Sequence, residues 1–202
     1  MRSRHIRGGL PLGPFFRIAS RRTRYSRNCQ NGKTVRKSPI HIKRASSVDA
    51  SGIVAVLETI CAERIHSAID QPWSIEEERR YLESLSAREV FNVAVDGAGG
   101  IVGFQDLSLW SPMLTSMAHV GQVGTFLSPA WRGRGIGTQL WRSTEAFARG
   151  AAYRKMVIQV RAINTAAQVF YSRLGFQKCG RLARQIIIDG VEDDEVLMEL
   201  FL

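Results

Sequence analysis

The segment Leu127-Ser128-Pro129-Ala130-Trp131-Arg132-Gly133-Arg134-Gly135-Ile136-Gly137-Thr138 is the most informative stretch of this chain of 202 residues. It follows a predicted strand and opens a predicted helix. Because its glycines have no Cβ, the backbone can turn tightly and bring several N–H groups to the positive end of the helix dipole. Arg132 and Arg134 add positive charge. The segment therefore predicts a binding site for a pyrophosphate group.

Two common phosphate-binding motifs do not match this segment. A P-loop needs the pattern GxxxxGK[ST], and no lysine follows these glycines. A dinucleotide-binding fingerprint needs glycine where Thr138 stands, and it lies in the first strand–helix unit of its fold rather than in the middle of the chain. Taken alone, the loop could also be a simple glycine-rich connection.

The chain around the loop alternates between strand and helix patterns. A short strand at Ile40–Arg44 precedes a helix with apolar residues at helical spacing, and the capping box of Ser74 and Glu77 opens a second helix that ends near Ser86. Strands are predicted at 90–95, 101–110, 119–127, 156–160, 176–188 and 195–202, and helices at 137–150 and 165–174. This order predicts an α/β protein with one mixed sheet and helices on its faces.

Two motifs at the right separation resemble a known family. The pattern Arg132-x-x-Gly135-x-Gly137 resembles the R/Q-x-x-G-x-G/A signature of the GNAT superfamily of acyl-CoA N-acyltransferases. The run 164–167 (Asn-Thr-Ala-Ala), followed by Phe170-Tyr171 and the 174–176 element (Leu-Gly-Phe), resembles a second element of that family. The resemblance covers residues 40–202 and is closest to the phosphinothricin and amino-acid acetyltransferases.

The resemblance implies a fold and a co-substrate. The fold is a single mixed, mostly antiparallel sheet (α+β in detail) with helices on both faces and a splayed central pair of strands that admits pantetheine. The co-substrate is acetyl-CoA, with no metal. The residues that match the family's cofactor-binding positions are Thr125, Phe126, Leu127, Arg132, Gly133, Arg134, Gly135, Ile136, Gly137, Thr138 and Asn164.

The same resemblance implies candidate catalytic residues. Tyr171 matches the family's general acid, which protonates the departing thiolate; its alternative role is to pack its ring against the sheet. Gln122 stands where many relatives carry glutamate, and a glutamine can position a water or orient the amine but cannot accept a proton. His119 and Asp106 are alternative proton relays. Many phosphinothricin acetyltransferases carry histidine in place of Tyr171, so the substrate of those enzymes should not be assigned to this chain.

The function expected from the resemblance is acetyl transfer to the primary amine of a small molecule or amino acid. The acceptor should be recognised by Ile65–Trp73, in which Trp73 either lines the acceptor pocket or fastens the second helix to the core. One alternative is an acetyltransferase of protein or ribosomal N-termini whose basic arm docks on RNA. Another is a non-catalytic acyl-CoA sensor, because residue 122 is not a glutamate.

The formal net charge of +10 is concentrated at the amino-terminal end. Residues 1–48 hold 13 of the 28 Lys and Arg and none of the 18 Asp and Glu. The composition predicts a basic, disordered arm over residues 1–38, and the resemblance implies an acetyltransferase domain over 39–202. The arm could also be a spurious extension, a transit peptide, or a segment that binds nucleic acid.

Several other classes of protein are disfavoured. No apolar run is long enough to cross a bilayer. Three widely spaced cysteines without a CxxC pattern, and histidines without ligand spacing, disfavour a zinc site or a disulfide framework and fit the cytoplasm. Cys61 and Cys179 are predicted to be packing residues. A homodimer is compatible with the resemblance, and nucleic acid is expected to contact only residues 1–38.

Overall fold

A computed structural model describes residues 39–202, which form one seven-stranded sheet in the order β1-β2-β3-β4-β5-β7-β6. The central pair β4–β5 is parallel and every other neighbouring pair is antiparallel. The strands and helices are β1 His41–Arg44, α1 Ala50–Glu63, α2 Ile75–Ser84, β2 Val90–Val95, β3 Ile101–Leu109, β4 Val120–Leu127, α3 Ile136–Gly150, β5 Lys155–Arg161, α4 Thr165–Arg173, β6 Gln177–Ile188 and β7 Val191–Phe201. The predicted order of elements is confirmed; the predicted arm over 1–38 lies outside the described residues.

Helices cover both faces of the sheet, as the resemblance implies. Successive strand residues point to opposite faces, and β3 contributes Phe104 to one face and Leu107 to the other. Phe104 packs in a buried cluster with Ile53 and Leu57 of α1, whereas Leu107 packs in a cluster with Trp141 of α3. We call these the α1 face and the α3 face.

The central strands β4 and β5 separate after a short parallel contact. They pair only over 120–122 and 155–157, although β4 continues to Leu127 and β5 to Arg161. Beyond Gln122, the edge of β4 that faces β5 therefore has alternate N–H groups without a strand partner. The predicted splayed pair is confirmed, and it opens a gap in the middle of the sheet.

The start of α2 follows from its capping box. The Ser74 side chain accepts a hydrogen bond from the Glu77 N–H at 3.2 Å, and the Glu77 carboxylate accepts one from the Ser74 N–H at 2.7 Å. Two otherwise unpaired backbone donors are satisfied in this way. The predicted start of this helix is confirmed, and the helix delivers Glu77, Glu78 and Tyr81 to the α1 face.

The last strand begins four residues before the predicted start at Glu195, so that boundary was wrong. Asp189 and Gly190 both adopt positive φ, 53° and 77°, and reverse the chain directly after β6. The acidic run that follows has no apolar alternation, which is why its sequence does not resemble a strand. Backbone pairing with β6 holds it in the sheet, and the exposed ion pairs Arg184–Glu192 at 3.2 Å and Arg181–Asp194 at 2.5 Å lie across the two strands.

Membrane, metal and cysteine predictions can be compared with residues 39–202. None of the helices there is both long and apolar enough to cross a membrane. The same residues contain no group of three or more His, Cys, Asp and Glu that could hold a metal ion. Cys61 is buried in α1 as predicted, but Cys179 is exposed, because it lies on the edge strand β6, where residues 177–185 are exposed on both faces.

Candidate active site

Two cavities meet where β4 and β5 separate. The loop cavity, of about 440 Å³, lies between the glycine-rich segment and α4. The sheet cavity, of about 710 Å³, lies on the α1 face beneath residues 66–73 and α2. The residues that line both cavities are His66, Thr125, Phe126, Asn164, Ala167 and Tyr171. The two cavities therefore adjoin, so that molecules bound in them would lie next to each other.

The glycine-rich segment gives the loop cavity a wall of backbone donors. Gly133 and Gly135 adopt left-handed conformations with φ of 70° and 79°, which side chains rarely tolerate. A Cβ on Gly137 would lie 3.0 Å from Cζ of Phe170, so glycine lets the start of α3 approach α4 closely. From Gly133 to Thr138 the backbone N–H groups have no acceptor among the described residues. Such an array at a helix amino terminus suits an anionic ligand.

Ten of the eleven residues predicted to bind the cofactor line the loop cavity: Thr125, Phe126, Leu127, Arg132, Gly133, Gly135, Ile136, Gly137, Thr138 and Asn164. Arg134 does not line it. Its guanidinium lies 4.8 Å from the ring centroid of Trp131, beside the loop. The two arginines of the motif thus have different environments.

Arg132 is engaged with the protein rather than free. Its guanidinium donates to both carboxylate oxygens of Glu63, at 2.8 and 2.5 Å, and to the Leu127 carbonyl at 3.0 Å. The hydrogen bond from Arg132 holds the pKa of Glu63 below its ordinary value. Arg132 thereby ties the loop to the end of α1 and to the end of β4, and its charge is partly neutralised.

Asn164 also has protein partners for its whole side chain. Its Oδ1 accepts from the Ala167 N–H at 3.1 Å, which caps α4, and its Nδ2 donates to the His66 carbonyl at 3.1 Å. These contacts join the start of α4 to the connection after α1. The position predicted to bind the cofactor therefore also fixes the border between the two cavities.

Tyr171 points from α4 into the gap between β4 and β5. Its hydroxyl donates to Oγ1 of Thr125 at 2.7 Å, and Nε2 of Gln105 donates to the same oxygen at 2.7 Å. Burial raises the pKa of Tyr171, so the phenol keeps its proton at neutral pH. The ring packs edge-on against Phe170 and Phe176. Both predicted roles, a proton donor and a packing residue, are compatible with this position.

Asp106 of β3 lies in the sheet cavity opposite Gly124. A Cβ on Gly124 would lie 2.5 Å from Oδ1 of Asp106, so this glycine makes room for the carboxylate. Burial, helped by the nearby Glu78 and opposed by the backbone N–H groups of Asp106 and Gly124, raises the pKa of Asp106 to about 7. A carboxylate with this pKa can exchange a proton near neutral pH. His119, the other predicted relay, is exposed and lines neither cavity.

Gln122 belongs to a chain of three polar side chains in the sheet cavity. Its Nε2 donates to Oε1 of Gln159 at 2.9 Å, and Nε2 of Gln159 donates to Oε2 of Glu195 at 2.7 Å. Sequence reasoning did not identify Gln159 or Glu195. The sequence did contain a signal for this chain, namely a glutamine within the otherwise apolar strand Met156–Val160. A polar side chain in a buried strand usually has a hydrogen-bond partner on a neighbouring strand.

The connection after α1 forms the roof of the sheet cavity. Residues 66–69 and Trp73, which belong to the segment predicted to recognise the acceptor, line it. The Trp73 indole also donates a hydrogen bond to the buried carboxylate of Glu78 in α2, so Trp73 both lines the cavity and holds the helix. Burial raises the pKa of Glu78, and its second oxygen has no hydrogen-bond partner among residues 39–202.

The sheet cavity has more unpaired acidic than basic groups. Its Arg161 donates to Asp193 at 2.8 Å and to the Arg64 carbonyl at 2.6 Å. Asp106 and Glu195 form no ion pair with any described residue. Such a cavity favours a cationic ligand over an anionic one.

Comparisons with known proteins agree with this geometry. The sequence profile of the Acetyltransferase (GNAT) family matches residues 57–176. N-alpha-acetyltransferase RimI of Mycobacterium tuberculosis is 30% identical over 123 residues, which is 61% of this chain and 73% of that protein. Mycothiol acetyltransferase of Corynebacterium glutamicum is 41% identical over 76 residues, which is 38% of this chain but only 24% of that protein.

A solved structure shares the fold. The phosphinothricin acetyltransferase of Sinorhizobium meliloti, in complex with AcCoA, superposes with a TM-score of 0.75 at 20% identity, covering 81% of this chain and 88% of that one. The two chains therefore share the same overall fold.

Proposed function

The chain belongs to the acetyltransferase (GNAT) family, and we propose that it transfers an acetyl group from acetyl-CoA to the primary amine of a small molecule or amino acid. Transfer would occur by direct attack while both substrates are bound. The observation that carries this proposal is the meeting of the two cavities at Thr125 and Tyr171. One cavity has a wall of N–H donors and the other has acidic groups, as a phosphate-bearing donor and a cationic acceptor require.

The loop cavity fits acetyl-CoA, which supplies an acetyl group activated as a thioester. The N–H groups from Gly133 to Thr138 would hold the pyrophosphate, with Arg134 close by on the exposed side of the loop. The unpaired N–H groups of β4 near Phe126 and Leu127 would bind the amides of the pantetheine arm. Asn164 and Arg132 would act chiefly by holding these elements in place.

The residues at the junction can assist each part of the reaction. The amine nitrogen forms a bond to the acetyl carbon, and the carbon–sulfur bond breaks. Unpaired N–H groups of β4 would stabilise negative charge on the acetyl oxygen. The Tyr171 hydroxyl would give its proton to the departing sulfur. An acceptor bound as an ammonium would first lose one proton to Asp106, directly or through water, and the proton that its nitrogen loses after attack would return to the Tyr171 phenolate. Gln122 would orient the amine.

A second candidate acceptor is the amino terminus of a protein. The similarity to RimI, whose name describes an N-alpha-acetyltransferase, supports this possibility. In addition, Arg161 in the sheet cavity is already paired with Asp193. A free amino acid would therefore find no unpaired arginine among the described residues of the cavity for its carboxylate, whereas a peptide amino terminus has no adjacent carboxylate.

Thiol release from acetyl-CoA, measured over a panel of amines, tests the proposal. Alanine, alaninamide and an alanyl peptide form a matched series that differs in the charge next to the amine. Turnover of any amine supports the enzyme, and the order within the series identifies the acceptor class. Tight binding of CoA with no turnover of any amine would support the acyl-CoA sensor instead.

The basic arm needs a separate test. Docking of residues 1–38 on RNA would bring a ribosomal amino terminus to the site. We expect a chain lacking these residues to lose RNA or ribosome association while keeping its turnover of small amines. Unchanged association after the deletion would contradict docking by the arm.

A further inference from the structure

We infer that Glu195 is a positioning residue, which acts through Gln159 to turn the side-chain oxygen of Gln122 toward the acceptor amine. This inference rests on the proposed function, because it assigns the role to the sheet cavity as the acceptor site. Glu195 is 7% exposed and lines that cavity together with both glutamines. Its contact with Gln122 passes through Gln159, so its effect on Gln122 is indirect.

The carboxylate gives the chain of hydrogen bonds a direction. A carboxylate only accepts hydrogen bonds, so the group that faces Glu195 must be the NH₂ of Gln159. The Gln159 carbonyl oxygen then faces Gln122 and accepts from its NH₂ at 2.9 Å. With its NH₂ used in this way, Gln122 has its own carbonyl oxygen left over. Each amide is thus oriented by the one before it.

The remaining oxygen of Gln122 is open to the cavity. It accepts a hydrogen bond from no described donor, and it is not fully buried, so it remains accessible. Gln122 lies opposite Ser108, and the next same-face position along β3 is Asp106. An amine in this part of the cavity would have an amide oxygen and a carboxylate as acceptors for its N–H groups.

The alternative is that Glu195 is a structural residue that merely satisfies Gln159. The arrangement of charges argues for orientation, because Glu195 forms no ion pair with a described residue while the neighbouring Arg161 is paired with Asp193. Without the carboxylate, both amides can rotate, so that Gln122 presents its NH₂ to the cavity. An NH₂ cannot accept from the acceptor amine, and recognition would be lost without loss of packing.

Exchange of two residues tests orientation directly. Glu195→Gln leaves a row of three side-chain amides in which the direction of the hydrogen bonds is no longer fixed. The double variant Gln159→Glu with Glu195→Gln returns a carboxylate that accepts from Gln122, so the Gln122 oxygen again faces the cavity. Glu199→Gln is the matched control, since Glu199 lies on the same strand but pairs with Lys155.

We expect Glu195→Gln to lower kcat/KM for the acceptor about tenfold, the effect of one lost hydrogen bond, with the KM for acetyl-CoA unchanged. The double variant should recover most of this loss, and Glu199→Gln should match the wild type. Wild-type kinetics in Glu195→Gln, or a double variant as poor as the single one, would overturn the inference.

A readout without turnover separates this inference from the proposed function. In the full chain labelled with ¹⁵N, the side-chain amide signal of Gln122 should shift in Glu195→Gln and return in the double variant. An unshifted signal would overturn the inference whatever the activity. Absence of turnover in the wild type, with the expected signals, would overturn the proposed function and leave the orientation of Gln122 established.

Discussion

The hydroxyl of Tyr171 donates a hydrogen bond of 2.7 Å to Oγ1 of Thr125, and this contact joins α4 to the part of β4 that no longer pairs with β5. Gln105 donates to the same oxygen, so both lone pairs of Thr125 are used and its own hydrogen has no acceptor among the described residues. Thr125 lines both cavities. The contact therefore places a phenol proton and a hydroxyl donor where the two proposed substrates would meet.

Replacing Tyr171 with phenylalanine should lower turnover about 100-fold or more, the scale of a lost general acid, while acetyl-CoA affinity changes little. Tyr153→Phe is the control, because it removes another buried hydroxyl that donates to the Arg88 carbonyl away from the site. Steady-state kinetics and CoA titration of both variants measure the effect. Normal turnover in Tyr171→Phe would remove the phenol from the reaction.

Gly135→Asp should abolish CoA binding, because its carboxylate would stand beside the N–H groups proposed to hold phosphate. The substitution also strains a residue with φ of 79°. Gly99→Asp controls for that strain, since Gly99 has φ of 88° in the turn after β2 and open space around it. Calorimetric titration should show CoA binding by the control only. Equal binding by both would contradict the role of the loop.

The pKa of about 7 for Asp106 predicts the pH dependence of the reaction. A base accepts a proton only when ionised, so kcat/KM should rise with pH through about 7 and level off above it. Asp106→Asn should remove this rise and lower the plateau about 100-fold.

Asp96→Asn is the control for Asp106→Asn, because Asp96 accepts backbone hydrogen bonds from Ala98 and Gly100 in a distant turn. The measurement is kcat/KM for the best amine over a pH series in all three proteins. A midpoint that persists in Asp106→Asn would assign the titration to another group.

The ion pair of Glu63 with Arg132 should stabilise the fold and the loop. Loss of this two-point contact in Glu63→Gln should cost about 1–2 kcal/mol of unfolding free energy at pH 7. Because Arg132 lowers the pKa of Glu63, this contribution is present above the ordinary pKa of Glu63, and it disappears as the pH falls through the lowered value.

Urea denaturation at pH 7 and at low pH measures this effect. Glu145→Gln, which removes a carboxylate paired with Arg149 on the surface of α3, should change the unfolding free energy by less than about 0.5 kcal/mol. A Glu63→Gln variant as stable as this control at pH 7 would show that the Arg132 contact contributes nothing.

Much of the fold was predictable because its signals are local. The bounds of β2 match the predicted 90–95, and the capping box of Ser74 and Glu77 starts α2 where expected. Apolar period, caps and turn residues depend on neighbours only a few positions away. Where an acidic run joins the sheet through backbone pairing with its neighbour, as at the start of β7, those signals were absent and the boundary was missed.

The candidate site also combines features that local sequence predicts with features that it does not. By itself, the sequence determined the glycine-rich turn, its place before a helix and the positions of Tyr171 and Asn164, because backbone conformation and motif spacing are local properties. Only the tertiary structure decided that Arg132 pairs with Glu63, 69 residues away, and that Gln122, Gln159 and Glu195 form one chain across three strands. The partners of a buried polar group depend on which strands are neighbours, and that is a property of the packed sheet rather than of any local stretch of the chain.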